Sequence, residues 1–388
     1  MVGLGLLGSG SSAAGCHRDV VGLVFGLRAA EVSRRGYSSC LPTSHAGYSR
    51  ALLRYRRDSA ERHQAMSVGR RWAFLVLCVL VSTPTFADEL SEGQPEKRPR
   101  VELSLRSWIF TSGETKWSHN ASGLDATLGN PTSKLTYKDN NTQIIELGAQ
   151  VNLRRRWYLR ADLGFSVDFD RGTLIDDDYL AGQRLVSETT SSITGNGTWY
   201  VNGDVGYRAV EFRNGRGHMD VFGGFQYWQT KYEATGFTRL VCDPSVITCT
   251  PSSSTALAIT NTTHWITPVR VGFDTEYRLT RRVSVDLKAS VSPASILYNE
   301  DVHHLRDDLQ QDPSFSMWGL GGSANAGAFF KFMLTRNLAL TGGYQVMWNR
   351  TYTGTWENHP VGSGSQTAPL TEFQTLRYGP IMGLTGSF

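Results

Sequence analysis

Apolar and polar residues alternate along most of the chain beyond residue 100. Trp157, Leu159, Ala161, Leu163, Phe165, Val167 and Phe169 are apolar, with Arg160, Asp162, Ser166 and Asp168 between them. Val269, Val271, Phe273, Tyr277 and Leu279 alternate with Arg270, Asp274, Glu276 and Arg278, and Val283, Val285, Leu287, Ala289 and Val291 with Ser284, Asp286, Lys288 and Ser290. A period of two puts each set on one face of a strand. Several such runs extend for about 15–20 residues, far beyond the usual mode of about 5–6. The polar sets carry charges, so that face is wet, and the apolar sets are rich in aromatics. Apolar outside and polar inside is the pattern of an all-β transmembrane barrel.

The connections follow the same asymmetry. Short basic turns are expected at Arg154–Arg156, Arg213–His218, Thr280–Arg282 and Thr335–Asn337, and longer polar loops at about 112–132, 170–194, 238–262, 300–314 and 358–371. Four turns and five loops make ten antiparallel strands with both ends on the periplasmic side. Strands of this length exceed the membrane, so an ordered collar should stand above it, where function is best sought. The chain ends Met382, Leu384, Gly386, Phe388, still alternating. That ending resembles the signal read by the outer-membrane barrel assembly machinery, an expected partner along with outer-membrane lipid.

Composition changes the picture in two places. No apolar run reaches the roughly 18–20 residues of a spanning helix, which removes helical membrane proteins but not barrels. The net charge of +4 and pI of 8.8 do not signal nucleic acid, because residues 1–87 hold eleven arginines against four acids, leaving −3 on the rest. After Met66 come Arg70-Arg71, the apolar stretch from Trp72 to Val81, and Thr85-Phe86-Ala87. This reads as a signal peptide over 66–87, cleaved before Asp88, with 88–388 as the barrel. Residues 1–65 lie upstream and read as a translation start placed too early, the alternative being an N-terminal extension. The mature chain keeps only Cys242 and Cys249, whose spacing in a polar stretch of an exported protein points to a loop disulfide. No Cys/His spacing suits zinc, and no cofactor is expected.

Two acidic clusters fall at outer strand ends: Asp176-Asp177-Asp178, and Asn299-Glu300-Asp301-Val302-His303-His304. In extended chain Asp176 and Asp178 share a side, as do Asp301 and His303. A histidine beside a carboxylate is the pairing that holds an imidazole ready to act as a base, whereas acidic loop clusters are commonly solvated surface. Parity raises a conflict, because lumen-facing positions of 283–291 are even while Asp301 and His303 are odd. A bulge must intervene, and Pro293 is the expected place.

With these residues in view, the chain resembles the omptin family, ten-stranded outer-membrane endopeptidases, over about residues 101–388. Asp176-Asp177-Asp178 and Asp301-Val302-His303 match the family's Asp-x-Asp and Asp-x-His pairs in order and loop assignment. Ser112-Gly113-Glu114-Thr115-Lys116 and Ser133-Lys134-Leu135-Thr136-Tyr137-Lys138 resemble its segments flanking the first outer loop. The resemblance implies peptide-bond hydrolysis without a covalent intermediate. His303 would be the general base on a water, Asp301 would orient it, and Asp176 and Asp178 would position the water. Because the imidazole must be neutral, activity should fall in acid. The resemblance also implies dependence on lipopolysaccharide, with Lys231-Tyr232 near the family's lipid-contacting pair. Where omptins place acids that hold a basic side chain, this chain has Trp117 and Asn299. A pocket lined by Trp117 would favour an aromatic or apolar side chain, or seat a cation over the ring.

Two other readings compete with hydrolysis. The scaffold can serve as a non-enzymatic adhesin or surface-binding barrel, which the changes at Trp117 and Asn299 would fit. A diffusion pore is the third, opposed by a lumen carrying Arg160, Asp162, Asp274, Glu276, Arg278 and Lys288, which reads as a charge plug.

Overall fold

The computed structural model describes residues 99–153, 156–169, 171–212 and 215–388. The expected signal segment 66–87, the stretch 1–65, and Arg154, Arg155 and Arg213 of two turns lie outside the described residues. The described residues belong to one unit. It contains twelve strand segments: β1 (Val101–His119), β2 (Leu128–Lys138), β3 (Thr142–Asn152), β4 (Trp157–Phe169), β5 (Gly172–Leu180) and β6 (Arg184–Glu211), then β7 (Gly217–Cys242), β8 (Ser253–Arg278), β9 (Val283–His303), β10 (Phe315–Met333), β11 (Leu338–Asn358) and β12 (Gln366–Ser387). β1 pairs with β3 in its lower half and β2 in its upper half, while β6 pairs with β4 below and β5 above. β2 and β3 are therefore one interrupted stave, and so are β4 and β5. With β12 pairing back onto β1, the sheet closes into a ring of ten antiparallel staves. Closure removes both sheet edges, which a spanning sheet requires.

The expected long loops are replaced by strand. The outer connections are 120–127, 181–183, 243–252, 304–314 and 359–365, and β6, β7 and β8 run for 28, 26 and 26 residues. Above the membrane both barrel faces can be wet, so strand residues there need not alternate apolar with polar. The polar stretch from Ser187 to Gly197 looks like loop in sequence, yet it pairs with β5 and β7 as strand.

The parity conflict on β9 is resolved by a bulge. Across β9 and β10 the register steps from Gly321↔Ser295 to Ser323↔Ser292, which sets Pro293 and Ala294 against Gly322 alone, one residue extra on β9. Below the step Ser290 and Ser292 are buried; above it Ser295, Leu297, Asn299 and Asp301 are. β8 bulges beside it, where Gly224↔Arg270 gives way to Gln226↔Thr267 around Pro268 and Val269. Proline has no N–H to lose from the ladder, so it suits both positions. Thr267 and Ser295 join the two strands through a buried hydroxyl pair at 2.9 Å.

On the outer face, rings of neighbouring strands form an aromatic belt. Trp199 meets Tyr227 at 4.8 Å, Tyr227 meets His264 at 6.1 Å, His264 meets Tyr298 at 5.6 Å, and Tyr298 meets Trp318 at 4.5 Å. Trp157 and Tyr207 pair near the lower rim. From Trp157 to Phe165 the strand runs roughly 26 Å at about 3.3 Å per residue, which at a tilt of about 40° covers about 20 Å of the roughly 25 Å apolar band of an outer-membrane barrel. Leu159 and Leu163 between them are exposed, as lipid-facing residues are. Inside, at this level, Arg160 bonds Asp274 at 2.7 Å and Asp204 at 3.0 Å, Arg270 bonds Asp204 at 2.7 Å, and Lys331 bonds Asp286 at 2.6 Å. This ion network surrounds a cavity of about 140 Å³. Asp301 and His303 lie three and five residues beyond Tyr298, above the belt and therefore outside the membrane.

Candidate functional site

Two walls of the collar carry the acidic clusters. On β5, Asp176 and Asp178 continue the inward face set by buried Leu174, and register brings them beside Leu135 and Ser133 of β2. Asp177 takes the opposite face and accepts a hydrogen bond from Tyr179 at 3.4 Å. On β9, the bulge turns Asn299, Asp301 and His303 inward. β5 and β9 belong to the third and seventh of ten staves, so the walls stand nearly opposite. The charges of Asp301 and Asp176 act on each other across the gap.

The β9 wall is fixed by its neighbours. Asp301 is fully buried and accepts from the Asn261 amide at 3.0 Å. The indole N–H of Trp117 faces the same carboxyl without closing a well-formed hydrogen bond. Asn261 is itself clamped by Asn299, whose amide nitrogen donates to Asn261 Oδ1 at 3.0 Å, Thr262 O at 3.1 Å and Thr263 Oγ1 at 2.9 Å. His303 Nε2 stands 3.6 Å from Asp301 Oδ1. The His303 backbone N–H donates to Ser314 Oγ at 3.0 Å, which ties the strand end to the base of β10.

Burial governs the electrostatics. Asp301 is pushed up to about 7, chiefly by burial, against the pull of Asn261 and Trp117. Burial, with Arg306 and His304 adding positive charge, lowers His303 to about 3, so the imidazole is neutral. On the other wall burial raises Asp178 to about 6, opposed by Ser133 and Arg306. Asp176 is raised well above the carboxylate range by burial and then by Asp178, Asp301 and Asp177. Arg306 pairs with Asp308 through two hydrogen bonds of 2.7 and 2.8 Å, and its charge also reaches Asp178 and Asp176. Such opposed displacements within one cleft mark groups placed at a cost to the fold.

An aromatic arc borders the His303 wall. Phe315 meets the imidazole edge-on at 4.8 Å and Trp356 at 5.1 Å. Trp356 stacks on His119 at 3.9 Å, and His119 lies 6.1 Å from Trp117. Trp117 Nε1, His119 Nδ1 and Trp356 Nε1 are buried and find no hydrogen-bond partner among the described residues. Burial alone holds His119 neutral, lowering it to about 3.

The other expected residues lie apart from this cleft. Lys231 is exposed on the outer face, four residues above Tyr227, and pairs with Glu233 at 2.8 Å. Cys242 and Cys249 are joined as a disulfide in the connection after β7, with Cα atoms 5.9 Å apart. Asn261, Arg306, Phe315, His119 and Trp356 were not singled out from sequence. Alternation places Asn261 on one face with Thr263 and Trp265, but only the register of β8 on β9 brings it to Asp301.

No family model matches the chain, and neither does any curated protein. Among solved structures, the outer membrane protease OmpT from Escherichia coli is similar with a TM-score of 0.61 at 12% identity, covering 77% of this chain and 100% of that one. The translocator domain of the autotransporter NalP from Neisseria meningitidis gives a TM-score of 0.34 at 11% identity, over 85% of this chain and 98% of that one. The likeness to OmpT establishes the fold: a closed antiparallel barrel of ten staves like that of this outer membrane protein.

Proposed function

We propose that the chain is an omptin-like endopeptidase that hydrolyses exposed peptide bonds at the cell surface. The observation that carries this reading is the neutral, half-buried His303 imidazole 3.6 Å from Asp301, an acid whose charge acts on Asp176 of the second pair across the collar. With Nε2 turned to Asp301, Nδ1 is the nitrogen left to take a proton from water. Asp301 orients the ring and stabilises the imidazolium as it forms. Asp176 and Asp178 hold the water from the facing wall. No covalent intermediate and no metal or organic cofactor is involved.

The side chain before the scissile bond must sit within a few ångströms of His303, beside half-buried Phe315 and the buried rings of Trp356, His119 and Trp117 packed in line behind it. This supports an aromatic or apolar preference there. Asn299 contributes by holding Asn261 and so Asp301. Lipopolysaccharide supports the active form through outward residues above the aromatic belt, Lys231 among them. The test is digestion of a peptide library by refolded protein with and without lipopolysaccharide. Cleavage that needs the lipid and follows aromatic or apolar residues supports the reading; a library left intact under both conditions refutes it.

A further inference from the structure

One polar group beneath the two acid pairs has no part in the reading above. Tyr137 of β2 is fully buried, and its hydroxyl finds no hydrogen-bond partner among the described residues. An unsatisfied buried hydroxyl costs about 1–3 kcal/mol, so an orphan in a fixed position points to a use elsewhere.

The ring is firmly held. It stacks on Tyr232 of β7, centroids 5.0 Å apart and planes 14° from parallel. The Tyr232 hydroxyl accepts from Arg377 Nη2 at 2.6 Å and pairs with Thr115 Oγ1 at 3.2 Å. Arg377 is buried, donates also to Thr230 at 3.1 Å, and lies over the rings of Trp228 and Tyr232. Register sets Tyr137 against Leu174, two residues before Asp176 on β5. Tyr232, on the far side of the stack, is the register partner of Asn261, which holds Asp301. The stacked pair therefore lies beneath both acid positions, and the charges of Asp301 and Asp176 both act on the Tyr137 phenol. Burial and those charges raise its pKa well above the usual phenol value, which keeps it a neutral donor.

We infer that the Tyr137 hydroxyl is the oxyanion donor of the hydrolytic site, a role that rests on the endopeptidase reading. Attack by water forms a carbon–oxygen bond and moves the carbonyl π pair onto oxygen, while His303 takes the water's proton. The new oxyanion accepts a hydrogen bond from Tyr137, which keeps its proton throughout. Collapse re-forms the carbonyl, breaks the carbon–nitrogen bond, and returns the proton from His303 to the leaving amine. A preplaced donor of this kind acts mainly on the transition state.

The test compares wild type with Tyr137→Phe, which keeps the ring and its stack but removes the donor. Turnover of a good peptide from the library should fall about 10²–10³-fold with KM within about threefold. A tetrahedral phosphonamidate analogue of that peptide should lose affinity by a comparable factor. Unchanged heat-modifiable gel migration checks that the barrel is intact. A variant within about threefold of wild-type kcat, or one altered only in KM, overturns the assignment to Tyr137 and leaves the endopeptidase reading standing. A wild type that cleaves nothing overturns both.

Discussion

Nε2 of His303 stands 3.6 Å from Oδ1 of Asp301, just beyond hydrogen-bond reach, with both groups held towards neutrality by burial. The two are two residues apart on one extended strand, so they share a face by period alone. Their inward aim depends on the bulge at Pro293 and Ala294 below them.

That electrostatic setting fixes the pH response. His303, lowered to about 3, has lost its proton well before neutrality, so its protonation is not what limits activity there. Asp178 at about 6 and Asp301 at about 7 are the groups that ionise there. kcat/KM should therefore rise as pH passes through about 6–7 and level off above, and Asp301→Asn should remove the upper part of that rise from the residual activity. An unaltered profile in Asp301→Asn contradicts the assignment.

The same shift predicts a stability cost. Asp301 has its folded pKa raised above its ordinary value, so the folded state holds the proton more tightly. The penalty is absent below about pH 4 and complete above about pH 7. A displacement of about 3 corresponds to about 4 kcal/mol. Asp301→Asn, which can still accept from Asn261, should resist urea better than wild type at pH 8 and differ little at pH 4. A variant less stable than wild type at pH 8 contradicts this.

Asn299 acts through its neighbours. Asn299→Ala removes three donated hydrogen bonds and frees Asn261. Stability should fall by about 1–3 kcal/mol, and turnover should fall with it as Asp301 loses its fixed partner. Urea unfolding and steady-state kinetics check the two effects; a loss of stability with wild-type turnover removes Asn299 from the site.

Trp117 lies at one end of the aromatic arc. Trp117→Ala should lower kcat/KM for peptides cleaved after an aromatic residue by about 10–100-fold, and much less for those cleaved after alanine. Equal losses for both peptides mean that Trp117 does not select the side chain.

The membrane-spanning part of this molecule was legible in sequence because lipid outside and water inside enforce strict alternation. β4 begins and ends at Trp157 and Phe169, as the apolar run does. The collar was not, since water on both faces removes the constraint that writes the pattern, and the expected loop at 170–194 is largely β5 and β6. Pro293 revealed its bulge through a clash of parity between two distant stretches of β9. Pro268 gave no such sign, because Thr267 and Arg270 are both polar and both inward on either side of it. The acid pairs were visible as local motifs. Asn261, Phe315, Trp356 and Tyr137 were not, because register and barrel closure bring them to the cleft.

The most direct test is the initial rate of cleavage of one library-selected peptide by wild type and by His303→Ala, both refolded with lipopolysaccharide and both with native gel migration. The account predicts a wild-type rate that His303→Ala reduces at least about 10³-fold. A variant that cleaves as fast as wild type contradicts the assignment of the base, and the hydrolytic site with it.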